Sequence, residues 1–100
     1  MSLQYAIDQL YETGWHVEAS AKVSLHDDGR AYPTLDQVQR EFSSNGCEFQ
    51  LKHIQLFDCF RAEWSRGPSQ SDAGAVVGAS AIEAAVYALS QLRRSAVAAH

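Results

Sequence analysis

No run of 18 apolar residues occurs in this sequence, so no segment reads as a membrane-spanning helix. No basic segment followed by an apolar stretch opens it, so no secretory signal is expected and the chain is placed in the cytoplasm. Lysine is scarce, with only Lys22 and Lys52 beside six arginines. These eight cations are scattered, and only Arg93-Arg94 are adjacent. A nucleic-acid binder carries a basic stripe that displaces counterions from phosphates. A net charge of −4 without such a stripe argues against duplex binding as the main role. It favours solubility and leaves basic protein partners open. Cysteine is also scarce, at Cys47 and Cys59. Small secreted disulfide scaffolds use four, six or eight cysteines, so reduced thiols are expected here.

What remains is 100 residues, 46% hydrophobic and 20% charged, with ten aromatics. That length fits a single small domain with a thin core. Leu3, Ala6, Ile7 and Leu10 recur at the spacing of one helix face, capped by Ser2 and ended by Gly14. From Trp15 to Leu25 every odd position is apolar and every even one polar. Strict alternation predicts a strand with one buried face, with room for a bulge near Ala19–Ala21. Asp27-Asp28-Gly29-Arg30 reads as a turn, and Ala31-Tyr32 as a brief pairing before Pro33.

Thr34 and Gln37 form a capping box, and a second helix is expected to about Ser43 with Leu35, Val38 and Phe42 inward. Asn45-Gly46 ends it. Cys47, Phe49 and Leu51 alternate with Glu48, Gln50 and Lys52, and the phase then flips towards Phe60, Ala62 and Trp64. Two antiparallel strands with a turn near Phe57-Asp58 satisfy that flip. The composition of 66–74 predicts a mobile loop, and Ala75-Val76-Val77 a short edge strand. Ser80 and Glu83 make a second capping box. The last helix is expected from Ala81 to about Ser95, with Arg93 and Arg94 complementing its dipole and a frayed tail over 96–100. The order α-β-(β)-α-β-β-α is an α+β fold. Its sheet has three to four mostly antiparallel strands packed with three helices, in one domain spanning 1–100.

Two strands, a polar loop and the capped helix Glu83-Ala84-Ala85-Val86-Tyr87-Ala88-Leu89 resemble the end of the double-stranded RNA-binding domain. The opening helix, Gly14-Trp15, the second helix, the two strands and the alanine-rich last helix also resemble the phage ABA-sandwich family, over roughly residues 2–94. The first resemblance implies nucleic-acid binding. That family meets phosphates with lysines at the start of its last helix, where this chain has Gly78-Ala79-Ser80-Ala81. So it carries topology here and not activity. The second implies a fold and a phage or mobile-element origin.

Candidate chemistry is sparse. Cys47, His53 and Cys59 are spaced six apart, but structural zinc needs four ligands, normally with close Cys-x₂₋₄-Cys spacing. Cys59 with His53 or His16 is the nearest approach to a nucleophile and base, and nothing in sequence activates the thiol. Asp27-Asp28-Gly29-Arg30 lacks the alternating acids and terminal Glu of a calcium loop. The segment Gly74–Ser80 matches neither phosphate-binding nor dinucleotide fingerprints. No catalytic residue, metal or cofactor is therefore expected. Arg61 and Glu63 should face outward beside Phe60 and Trp64, and with Asp58 and Arg66 they form a candidate interaction surface. The expected function is a non-catalytic protein-interaction module. A thin core with spare apolar surface also suggests a homodimer.

Overall fold

A computed structural model describes residues 2–17, 23–66 and 69–98, with the backbone alone for 69–72 and 96–98. The elements are α1 (Leu3–Glu12), β1 (Val23–Leu25), β2 (Ala31–Pro33), α2 (Leu35–Ser44), β3 (Glu48–Ile54), β4 (Cys59–Arg66), β5 (Ser69–Gly78) and α3 (Ala81–Ala98). Helices and antiparallel strands make the α+β fold that the sequence leads one to expect. The strands divide into a two-stranded sheet, β1-β2, and a three-stranded sheet, β3-β4-β5.

The helix ends follow local chemistry. Ser2 Oγ accepts from the Tyr5 amide at 3.1 Å, satisfying an orphan donor of α1. Gly14 ends α1 at φ +87. Thr34 Oγ1 accepts from the Gln37 amide at 3.2 Å. Thr34→Ala is expected to lower stability by about 1 kcal/mol, read from urea unfolding midpoints. An unchanged midpoint would show that this cap is idle. At the other end of α2 the Cys47 amide donates to Phe42 O and the Gly46 amide to Ser43 O. These two bonds, with Gly46 at φ +76, form a Schellman stop that feeds the chain into β3.

The core lies on one face of the three-stranded sheet. There α3 packs on β4 and β5, and α1 and α2 pack against α3. Because α3 is flanked on several sides, its Ala84, Ala85, Val86, Ala88, Leu89 and Ser90 are all fully buried. Its small residues permit these close approaches. The sequence stripe of Ile82, Ala85, Val86, Leu89 and Leu92 therefore understates the buried surface. Ala6, Ile7, Leu10, Trp15, Val38, Phe42, Cys47, Ala62 and Leu92 join them in the core.

Arg30 ties the β1–β2 hairpin to α1. Its Nη1 lies 2.6 Å from Asp8 and its Nε 2.8 Å from Asp28, and its guanidinium sits 5.6 Å from the centre of the Tyr11 ring. Tyr11 Oη donates to Ala31 O at 2.6 Å. The Arg30 amide donates to Asp28 Oδ1, and this bond first, then the Arg30 side chain, holds the Asp28 carboxyl below its ordinary range. Asp27–Arg30 is thus a turn.

Several expectations are corrected. The polar segment expected as a loop over 66–74 is strand from Ser69, where Ser69 pairs with Arg66 and Gly74 with Trp64 across a register shift in the ladder. The last helix continues through Ala98, so 96–98 are helical, and 99–100 lie outside the described residues. Arg93 and Arg94 act within α3 rather than at its end. Arg93 Nε donates to Thr13 Oγ1 at 2.9 Å and Arg94 Nη2 to Gln9 Oε1 at 2.5 Å, joining α3 to the N-terminal helix. Trp15 is buried, but Val17 and Leu25 are exposed and Trp15–Val17 is not strand. Among the described residues no layer covers Leu25 on the two-stranded sheet. The expected bulge near Ala19–Ala21 lies outside the described residues. Leu35 is also exposed, at the first turn of α2.

Candidate functional site

Alternation along β3 and β4 sends side chains to two unlike faces. Antiparallel register places Phe49 opposite Trp64, Leu51 opposite Ala62 and His53 opposite Phe60 on the helix-covered face. Gln50 opposite Glu63 and Lys52 opposite Arg61 share the outer face. On β5, Ala75 lies beside Glu63 and Val77 beside Arg61. The outer face is therefore charged across β3 and β4 and small and apolar along β5.

Glu63 is the centre of that charge. Its Oε2 lies 3.1 Å from Lys52 Nζ and its Oε1 accepts from Arg61 Nε at 2.7 Å. The Lys52 hydrogen bond, followed by the Arg61 one, holds the Glu63 carboxyl below the ordinary glutamate range. Salt screens such exposed pairs, so they orient side chains more than they stabilise the fold.

An open trough of about 560 Å³ runs over this face. Glu48 and Gln50 border it from β3, Arg61, Glu63 and Ser65 from β4, and Ala73 and Ala75 from β5. The short side chains of β5 leave the space, and the long ones of β3 and β4 wall it.

The four residues expected to share an interaction surface are spread along β4 and the turn before it. Arg61 and Glu63 stand together on the outer face. Asp58 lies in the β3–β4 turn at φ +47, and its Oδ1 is 3.1 Å from His53 Nε2. Its backbone conformation and its partner give it a turn role. Arg66 ends β4 at the opposite pole, where its Nε donates to Asn45 O at 3.1 Å. Lys52, Glu48 and the β5 alanines join Arg61 and Glu63 instead. Their contribution depends on strand register, which the period-two pattern alone does not define.

The cysteines do not converge. Cys47 is buried before β3 and Cys59 opens β4 opposite Ile54, so the length of the hairpin, about 20 Å, lies between them. His53 stacks on Phe60 with ring centres 4.8 Å apart. Alternation sends Cys59 to the other face from His53. Among the described residues no three His, Cys, Asp or Glu side chains group as metal ligands would. Nor is any described helix long and apolar enough to cross a membrane. The β3–β4 turn carries exposed Leu56 and Phe57 at the far end of the sheet from Glu48. Comparison with protein-family models, curated proteins and solved structures finds no match for this chain.

Proposed function

We propose that this chain is a non-catalytic protein-interaction module whose contact surface is the outer face of the three-stranded sheet. The trough bordered by Arg61 and Glu63 carries the reading. It offers an apolar floor along β5 beside arginine, a residue enriched at protein interfaces. The ion pairs around Glu63 hold Arg61 in a defined orientation before a partner arrives, which lowers the ordering cost of binding. The two free thiols fit a reducing, cytoplasmic setting. The resemblance to the phage ABA-sandwich family extends the proposal to a mobile-element origin.

Peptide-display selection against the whole chain, followed by amide chemical-shift mapping, tests it. Shifts are expected along β3, β4 and β5 at 48–52, 61–65 and 73–77. Arg61→Glu is expected to weaken the selected ligands by about tenfold or more, the scale of losing an interface anchor. Shifts confined to the Leu56-Phe57 turn, or indifference to Arg61→Glu, would sink the assignment of this face.

The element order favours a second reading. The run α2-β3-β4-β5-α3 has the helix, three antiparallel strands and helix of the double-stranded RNA-binding domain. Against it stands the start of α3, where Gly78-Ala79-Ser80-Ala81 offers no cation. A titration of duplex RNA at rising salt separates the readings, since phosphate contacts give a steep salt slope.

A further inference from the structure

The two edges of the three-stranded sheet are unequal. On β3 the edge carries Glu48, Lys52 and His53, charged or polar side chains that discourage another strand from pairing there. On β5 the ten-residue run Ser69–Gly78 holds one charged residue, Asp72, and no proline or lysine. One edge of β5 pairs with β4, regularly over Gly74–Gly78 and after a register shift at Ser69, and among the described residues no strand pairs with the other. Its ladder groups there are a template for further main-chain hydrogen bonds.

We propose that the β5 edge joins a second copy of this chain, pairing antiparallel about a two-fold axis to make one six-stranded sheet. This rests on the reading of the chain as a protein-interaction module, but it uses the sheet's edge and not its face. A two-fold axis makes β5 its own partner, so one surface supplies both sides of the contact. An axis through Ala75 sets Val76 opposite Gly74 of the second copy, both within the regular ladder, and Val77 opposite Ala73, the first residue of the register shift. Each larger side chain then meets a small one, on both faces of the sheet. Val77, 49% exposed in the single chain, gains cover on the outer face. On the inner face the ring of Trp64 lies directly over Gly74, so Val76 of the second copy would pack at its margin. No side chain between Ala73 and Gly78 is charged, and like charges facing each other across strands are what would oppose the pairing.

Light scattering of the full chain over a concentration series tests the proposal, together with hydrogen exchange of the β5 amides. The mass is expected to rise from monomer to dimer. Exchange at 73–78 is expected to slow as concentration rises. Ala75→Lys with Val77→Lys, both on the outer face, is expected to raise the dimerisation midpoint by about tenfold or more. A monomer at every concentration, or a dimer indifferent to the double substitution, overturns the proposal. If the double variant fails to fold, exchange in the unmodified chain decides, and β5 protection independent of concentration overturns it. Peptide binding to the outer face is measured separately on dilute, monomeric chain, so either reading can fail while the other stands.

Discussion

Replacing Phe42 by alanine is expected to remove about 3–5 kcal/mol of folding stability. The ring is fully buried and stacks on Phe49 with centres 4.5 Å apart, and Trp64 lies tilted at 5.7 Å. It is the contact through which α2 grips β3 and β4. Alanine would lose the transfer energy of the ring and leave a void that two large aromatics line but cannot fill without shifting strands. Small domains hold only ~5–15 kcal/mol in reserve, so this one change takes a large share of it. The same substitution at exposed Phe57 is expected to stay within about 0.5 kcal/mol. Urea unfolding of both variants checks the contrast. Equal midpoints for the two would contradict the described core.

The second large effect is expected from the smallest change. A Cβ added at Gly78 would lie 2.7 Å from the Ala84 amide nitrogen and 3.0 Å from Glu83 Oε2. The obstacle is helix backbone, which cannot swing aside as a side-chain end can. Glu83 itself is nearly buried, and its Oε2 accepts from the Ala79 amide at 2.6 Å. Pushing α3 away would strain that bond and expose a carboxylate whose partner is fixed by the helix start. Gly78→Ala is therefore expected to cost about 1–3 kcal/mol, at the upper end of that range. Gly74→Ala is a useful comparison. There the Cβ would come within 2.3 Å of the Trp64 ring, a side chain that can rotate at the price of its contact with Phe42. If Gly78→Ala unfolds at the same urea concentration as the unmodified chain, the close approach of β5 to α3 is wrong.

These two glycines also explain where reading the sequence stops. Helix starts at Ser2, Thr34 and Ser80 are legible because a cap is a local bargain between one side chain and one amide. The β3–β4 hairpin is legible because its phase flip has few solutions. Strand β5 is not. Its glycines look like loop chemistry, yet Trp64 crowds Gly74 and α3 crowds Gly78. Small size at a contact and small size in a loop leave the same letters. Alternation from Trp15 to Leu25 fails in the opposite direction. It marks two faces but not whether a second layer covers either, and Leu25 points to solvent. The same holds for the surface. Arg61 and Glu63 face outward by counting alone, whereas Lys52 joins them only once the register is known. Asp58 and Arg66 lie at opposite poles because a turn and a strand end carry them there.

Arg93 reaches across eighty positions to Thr13, and Arg94 across eighty-five to Gln9. Beside its ties to the β1–β2 hairpin, the first helix thus finds its main seat on the last. During synthesis α1 emerges early but must wait, its Ala6, Ile7 and Leu10 uncovered, until α3 has cleared the ribosome. Contacts so distant along the chain slow folding, since the loop must close before they contribute. The consequence is a vulnerable interval in which a growing chain presents the apolar face of α1 without its main cover, and chaperones or neighbouring chains have their best access to it then.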